Sequence, residues 1–274
     1  MTNAAMRFYP LILLAVWLAL PTAGWGAFGL STNTDYYTVD TGAGLVFKVR
    51  RVEEAGVNPN TVSVGDIRSL VYNGVEYQDQ ARGSQINSGF DWLGYSNSIV
   101  SVSAEMVNTD YIKVTVTTAD LIHYYIARKG YPHIYMATYF DVEPVTTGGL
   151  CRYIVRMPYS KLPNGPPPSD LTGTTYTVES ADIFGLPNGE TRSKHYSNQR
   201  LLDWFYTGAT GNGVGVFMMR GSSEGGSGGP FYRCLINQGG GDQEVYEMIN
   251  YGEGQTAAFR TGILDGPYAL VFTD

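Results

Sequence analysis

The sequence is short of positive charge. Lys and Arg number 18 against 25 Asp and Glu, which gives a net charge of -7 at pH 7 and an isoelectric point near 5.0. Nucleic-acid-binding domains usually carry a basic surface, so this balance argues against nucleic acid as a partner. The total charge does not indicate an acidic ligand either. A polyuronate would have to be held locally, by individual Arg and Lys side chains.

Cysteine and histidine are also scarce. The Cys residues are Cys151 and Cys234, there are 3 His residues, and no CxxC pair or His-rich cluster occurs. The sequence therefore predicts no metal site. An oxidising destination would permit a disulfide between Cys151 and Cys234, but two buried thiols are equally compatible with a domain of this size.

Long apolar runs are almost absent. The apolar run at residues 11–20 follows Arg7, and Gly24 and Gly26 then provide small residues with -3/-1 spacing before Ala27. This order is typical of a secretory signal peptide, whereas a membrane-spanning helix needs about 20 apolar residues. We predict that residues 1–26 are a signal peptide, a membrane anchor being the alternative. The remaining chain is expected to be secreted, extracellular and monomeric, with no membrane partner.

Helical periodicity is missing too, and alternation of apolar and polar residues replaces it. The segments that alternate are 45–50, 99–107, 111–117, 123–128, 134–142, 150–157, 214–219, 244–250 and 268–273. Asn108, Thr109 and Asp110 predict a hairpin turn between two of them. With 43% hydrophobic residues, 34 Gly and 13 Pro, the chain is predicted to be all-β, with antiparallel sheets and almost no helix.

One predicted strand carries a pair of cations. Arg152 and Arg156 lie four residues apart in segment 150–157, and the period of two places both on one face, roughly 13 Å apart at about 3.3 Å per residue. The planar guanidinium fork matches a carboxylate, so this face could clamp a uronate. A solvated outer face is the alternative interpretation.

A second polar stretch concentrates proton-transfer groups. Residues 190–197 follow a turn and include Lys194, His195 and Tyr196. A base-capable Lys, a His and a Tyr within eight polar residues could serve catalysis, and a polar loop edge is the alternative. His123 and His133 lie in predicted strands and are interpreted as structural.

Several short motifs, in the same order and spread from residue 27 to the end, resemble the catalytic domain of fungal rhamnogalacturonan lyases (polysaccharide lyase family four). They are Ala27-Phe28-Gly29-Leu30, Asp110-Tyr111-Ile112-Lys113-Val114-Thr115, Met136-Ala137-Thr138-Tyr139, Leu162-Pro163-Asn164, Glu190-Thr191-Arg192-Ser193-Lys194, Ser227-Gly228-Gly229-Pro230-Phe231 and Gly266-Pro267-Tyr268. The resemblance implies a β-supersandwich of the galactose mutarotase-like type over residues 27–274. It also implies β-elimination at the rhamnose–galacturonate linkage of a pectic polysaccharide, without a metal or organic cofactor.

The resemblance also implies roles for individual residues. Lys194 matches the proposed base of the family, and Arg152 matches the cation that neutralises the uronate carboxylate, with Arg156 beside it. Removing the proton α to a carboxylate builds negative charge there, so a fixed cation stabilises the transition state. Nearby Arg charges would lower the pKa of Lys194 and favour its neutral, basic form.

The sequence departs from the family at two points. Glu253 stands before Gln255-Thr256, where the family has the His that is its presumed proton donor. A Glu donates a proton only if burial raises its pKa. Tyr246, His195 or Tyr251 could donate instead. The fibronectin-III-like and carbohydrate-binding domains of family members are also absent from this sequence.

We therefore predict a secreted rhamnogalacturonan lyase. Its catalytic residues are Lys194, Arg152 and Glu253. Its substrate-binding residues are Arg156, Tyr246 and His195. The Glu253 departure keeps open the alternative of a non-catalytic carbohydrate-binding domain on the same scaffold. A mutarotase-like or epimerase-like activity is a third possibility that rests on fold analogy alone.

Overall fold

The computed structural model describes residues 26–53, 63–87, 89–90, 99–143, 151–165, 172–179, 183–193, 206–221, 235–237, 242–250 and 259–274. These residues form strands and turns and contain no α-helix. The strands are β1 (Gly29–Thr32), β2 (Tyr36–Asp40), β3 (Leu45–Arg50), β4 (Ile67–Tyr72), β5 (Val75–Glu76), β6 (Gln85–Ile86), β7 (Ser101–Met106), β8 (Tyr111–Thr117), β9 (Leu121–Arg128), β10 (His133–Phe140), β11 (Cys151–Pro158), β12 (Tyr176–Glu179), β13 (Ile183–Gly185), β14 (Thr191–Ser193), β15 (Tyr206–Gly211), β16 (Val214–Arg220), β17 (Leu235–Asn237), β18 (Asp242–Asn250) and β19 (Leu264–Thr273).

The strands form four antiparallel sheets. A five-stranded sheet has the order β1-β2-β3-β4-β5, and a seven-stranded sheet has the order β15-β16-β19-β10-β9-β8-β7. A four-stranded sheet, β17-β18-β11-β6, and a three-stranded sheet, β12-β13-β14, complete the set. Every strand pairing among the described residues is antiparallel. The all-β, antiparallel prediction is confirmed. No helix in this part of the chain is long and apolar enough to cross a membrane.

Strict alternation along the strands builds the core. In β8 and β9 every second side chain is buried and its neighbours are partly exposed, which is the pattern of a sheet with one covered face. Inward residues of the five-, seven- and four-stranded sheets join one apolar cluster, which includes Phe47, Val114, Tyr125, Val155 and Phe272. The three sheets therefore share a single core.

Buried tyrosines connect the sheets through hydrogen bonds as well as through packing. The Tyr125 hydroxyl of β9 donates to the Gly65 carbonyl at 2.9 Å, and the Tyr153 hydroxyl of β11 donates to the Tyr125 oxygen at 3.1 Å. The His123 ring stacks on the Tyr153 ring at a centroid distance of 5.0 Å, and its Nδ1 lies 2.8 Å from the Thr138 hydroxyl. Burial lowers the pKa of His123 to about 3. His123 is therefore a neutral core residue, as its position in a strand predicted.

The predicted strands are all present, and their ends agree within four residues. The predicted hairpin turn joins β7 to β8, where the Asn108 Oδ1 accepts hydrogen bonds from the amides of Asp110 and Tyr111 at 2.9 and 3.0 Å. Other strands were missed, although Asn-Gly turns flank three of them, β4, β5 and β15. Asn73-Gly74 joins β4 to β5 and Asn212-Gly213 joins β15 to β16, with both residues of each pair at positive φ.

Gly65 provides a test of how tightly the sheets pack. It has a φ of +91°, and an added Cβ would lie 2.6 Å from Val116 and 2.8 Å from Phe90. Gly74 has a similar φ of +79° but no atom within 4 Å of its added Cβ. We expect Gly74→Ala to lower the free energy of unfolding by about 1 kcal/mol, from backbone strain alone.

Gly65→Ala adds overpacking of about 1–3 kcal/mol to the same strain, so its total loss should be about 2–4 kcal/mol. Denaturant unfolding of both variants measures the difference. Equal losses for the two glycines would mean that the core does not close around Gly65.

Candidate functional site

Strand β11 has two unlike faces. Tyr153, Val155 and Met157 point into the shared core, so period two places Arg152, Ile154 and Arg156 on the opposite face. The neighbouring strand β18 pairs with β11 in a register that sets Met248, Tyr246 and Glu244 opposite those three residues. Ile154 and Tyr246 form a small apolar cluster of their own, separate from the main core. This face of β11 and β18 is the candidate site.

Glu244 is the hub of the candidate site. Its carboxylate is 3% exposed and accepts hydrogen bonds from the Arg156 Nε at 2.9 Å and from the Tyr246 hydroxyl, and Arg82 lies 2.9 Å away. Burial acts to raise the pKa of Glu244, but Arg156, Arg82 and the Tyr246 hydroxyl outweigh it and hold that pKa below its ordinary value. Glu244 is therefore ionised at neutral pH.

The two arginines of β11 are held differently. Arg156 is 5% exposed. Besides bonding Glu244, it donates from Nη1 to the Gly83 carbonyl at 2.7 Å. Arg152 is only partly buried, and its guanidinium carbon lies 4.9 Å from the centroid of the Tyr246 ring. The solvated-face interpretation is therefore wrong for Arg156, whose charge is buried and paired.

Arg152 keeps its guanidinium available. Within the part of the chain that the structure describes, no carboxylate pairs with it and its buried Nε has no hydrogen-bond partner. Its backbone is fixed instead: the Arg152 amide donates to the Asn87 Oδ1 at 3.0 Å, and the Asn87 amide donates to the Arg152 carbonyl at 2.8 Å. The arrangement presents a rigidly mounted cation that can still bind an anion.

Tyr246 is buried against the two charges. Its ring is 1% exposed, and burial together with the Glu244 charge raises the pKa of its hydroxyl. The hydroxyl already donates its proton to Glu244. Tyr246 therefore supports the site from below, and a role as proton donor would require it to give up that bond.

A second buried Arg–Glu pair lies on the core side of β18. Arg220 donates from Nε to the Glu247 carboxylate and from Nη2 to the Tyr246 carbonyl, the latter at 2.8 Å. Burial raises the pKa of Glu247 to about 7, against the opposing charge of Arg220. The strand that carries Tyr246 is thus fixed from both faces.

Several predicted site residues lie outside the described residues. They are Lys194, His195, Tyr251 and Glu253, together with Cys234. Cys151 is a free, buried thiol. The described residues contain no group of His, Cys, Asp or Glu that could hold a metal ion. Of the predicted set, the structure thus brings together Arg152, Arg156 and Tyr246.

Sequence reasoning missed Glu244, Arg82 and Asn87. A signal for Glu244 existed, because an acidic residue two positions before Tyr246 in an alternating strand must share its face. Arg82 and Asn87 flank β6, which has only two residues, and no periodicity marks so short a strand. Their positions become meaningful only through the pairing of β6 with β11.

Comparison with known proteins gives a consistent match. The family model described as rhamnogalacturonan lyase B, N-terminal, matches residues 28–274. The chain is 40% identical to rhamnogalacturonate lyase A of Emericella nidulans over 250 residues, which is 90% of this chain and 44% of that protein. It is 40% identical to probable rhamnogalacturonate lyase A of Aspergillus terreus, over 95% of this chain and 45% of the relative. For rhamnogalacturonate lyase A of Aspergillus aculeatus the identity is 37%, over 90% of this chain and 44% of the relative. The chain thus spans less than half the length of these curated relatives.

The raised pKa of Glu247 predicts a pH dependence of stability. The folded carboxyl binds its proton up to about pH 7, against an ordinary pKa of 4.5. The stabilisation from the protonated form is therefore complete below the unfolded pKa and is lost as the pH rises through 7. We expect the unfolding free energy of Glu247→Gln to fall less than that of the original chain between pH 5 and pH 8. The difference should reach about 3 kcal/mol at most. Unfolding curves at both pH values measure it, and parallel pH profiles would contradict the assignment.

Proposed function

We propose that this chain, which belongs to the rhamnogalacturonan lyase family, cleaves rhamnogalacturonan by β-elimination and leaves an unsaturated uronate. The substrate class comes from the names of the relatives. Because the chain spans less than half the length of those proteins, lyase activity of this chain is proposed here. Secretion is part of it: residues 1–26 read as a signal peptide, and a chain that begins at Ala27 in the culture medium would test this.

The observation that carries the proposal is the state of Arg152. A guanidinium that lies over the Tyr246 ring, with no carboxylate partner among the described residues, is prepared for an anionic ligand. Its fork matches a carboxylate in a bidentate manner. A uronate carboxylate docked there would lie on a fixed cation, where the negative charge of the transition state develops.

The reaction needs three groups besides the substrate. A base removes the proton α to the uronate carboxylate, and the electron pair of that C–H bond forms a carbon–carbon double bond. The bond to the glycosidic oxygen breaks, and the oxygen accepts a proton from an acid. We assign the base to Lys194 and the carboxylate cation to Arg152, while Glu253 occupies the acid position. The elimination is redox-neutral and needs no oxidant or reductant.

Two supporting residues have roles that follow from their contacts. Arg156 and Tyr246 are both bound to Glu244. Arg156 therefore contributes its charge to the substrate carboxylate from below the surface, and Tyr246 supplies the ring beneath Arg152. His195 is assigned to the substrate on its place beside Lys194 in the sequence.

A second candidate function rests on Glu253. An ionised Glu in the acid position would repel a uronate and donate no proton, so the same surface would bind the polysaccharide without cutting it. The non-catalytic carbohydrate-binding domain is the candidate that this substitution favours. Ultraviolet absorbance separates the two, because only the lyase creates an absorbing unsaturated uronate.

Arg152→Lys tests the carboxylate cation. It keeps the charge and loses the fork, so we expect the rate of unsaturated-uronate formation on rhamnogalacturonan I to fall by about 1–3 kcal/mol in barrier. Arg128→Lys is the matched control, because Arg128 also stacks on a tyrosine ring, that of Tyr131 at 4.5 Å, but belongs to β9. Its rate should not change. Equal rates for Arg152→Lys and the original chain would remove Arg152 from the mechanism, and Lys194→Met serves as the blank that lacks the base.

Glu253→His tests the acid position. An imidazole with an ordinary pKa of about 6.5 can donate a proton at mildly acidic to neutral pH. The substitution of Glu253 also removes a negative charge from a site that, in this proposal, accepts a uronate. We expect Glu253→His to raise lyase activity, and Glu253→Gln to raise it less because an amide has no acidic proton to give.

The measurement is the initial rate against pH for the three proteins. If the original chain is fully active and both substitutions abolish product, Glu253 itself is the working acid. If none of the three forms product although all bind the polysaccharide, the chain is a binding domain.

A further inference from the structure

Glu244 is the point at which three side chains of the candidate site meet. Arg82, Arg156 and the Tyr246 hydroxyl all contact its carboxylate, which lies on the same sheet face as Arg152. It does not bind Arg152 itself. One side chain therefore lies between Glu244 and Arg152, the cation that binds the substrate in the proposed function.

Tyr246 connects the two. Its ring is fixed at the hydroxyl end by Glu244 and at the backbone end by Arg220, and its face carries the Arg152 guanidinium at 4.9 Å. A cation over a ring face is attracted by about 0.5–2 kcal/mol, more where water is excluded. A phenol that donates to a carboxylate is richer in electrons, so the bond to Glu244 also strengthens the attraction of the ring for Arg152.

The proposed site must hold Arg152 in place and also leave its guanidinium fork open for the substrate. A carboxylate bound directly to Arg152 would fix it but would occupy the fork that a uronate needs. A ring holds the guanidinium without accepting its N–H groups as a carboxylate would, and the Arg152 Nε has no hydrogen-bond partner among the described residues. The carboxylate that anchors the ring also pairs with Arg82 and Arg156.

We propose that Glu244 is a positioning residue, which orients Arg152 toward the substrate carboxylate by holding the Tyr246 ring beneath it. This inference rests on the proposed function for the identity of the substrate. It assigns no contact between Glu244 and the substrate. Catalytic groups lose efficiency steeply when they are misplaced, and a displacement of about 1 Å can cost roughly a hundredfold in rate.

The kinetic test is the coupling between Glu244 and Arg152. Glu244→Gln keeps the size of the side chain and removes the charge, so we expect kcat on rhamnogalacturonan I to fall roughly tenfold to a hundredfold. KM should be unchanged or lower, because the site becomes more positive. In the Arg152→Lys background, which lacks the fork to be oriented, the same substitution should cost about threefold or less.

Glu105→Gln is the matched control. Glu105 is a carboxylate of β7 that pairs with Lys113 at 2.8 Å and is 60% exposed. It removes the same charge far from β11 and should leave both constants unchanged. If Glu244→Gln acts only by reducing the amount of folded protein, it should lower the rate by the same factor in the original chain and in Arg152→Lys. That result would overturn the proposal.

A second readout does not depend on turnover. The ring current of Tyr246 shifts the Nε–H resonance of Arg152, which is identified in isotope-labelled protein by its absence from Arg152→Lys. Glu244→Gln should move this resonance toward the position of a free arginine, and an unchanged resonance would overturn the proposal. If the original chain forms no unsaturated product, the proposed function fails while the resonance still decides whether Glu244 positions Arg152.

Discussion

The antiparallel register of β11 with β18 is the constraint on which the rest of the site depends. It sets Arg156 opposite Glu244 and Ile154 opposite Tyr246, although 88 residues separate Arg156 from Glu244 in the chain. A shift by one residue would turn every side chain of the strand to the other face. The core side prevents that shift, because Tyr153 and Val155 are buried in the shared core and could not be exchanged for arginines. The apolar packing of one face thus fixes the chemistry of the other.

Burial divides the two arginines into different roles. An unpaired charge left in the interior costs about 3–5 kcal/mol, so Arg156, which is 5% exposed, requires Glu244 and the Gly83 carbonyl. Arg152 is partly exposed and is held by the ring of Tyr246 and by its backbone bonds to Asn87. The deep arginine can therefore act on a ligand only through its charge, whereas the shallow one remains able to bind a ligand directly.

Sequence alone predicted the class of fold because alternation, turns and the absence of a helical period agree with one another. It also placed Arg152 and Arg156 on one face. The sequence could not predict how deeply each arginine is buried, because a period of two specifies the face of a strand and not the exposure of the residues on that face. The partners of Glu244 were missed for a different reason: Arg82 lies just before β6 and Arg156 lies in β11, and nothing local in the sequence indicates that these segments meet β18. Asn73-Gly74 is a strong hairpin signal, but the prediction relied on longer alternating segments and did not include it.

For a chain with a net charge of -7, the proposed binding of an anionic polymer requires a local field that differs from the long-range one. Exposed charges are screened over about 8 Å at physiological ionic strength, so the overall acidity acts mainly on approach. At contact the relevant charges include those of Arg82, Arg152 and Arg156, together with the carboxylate of Glu244. Because that carboxylate is buried and its charge is shared by two guanidinium groups and a phenol, it repels an incoming uronate weakly. The acidic residue that organises the site can therefore lie beneath it without opposing the proposed ligand.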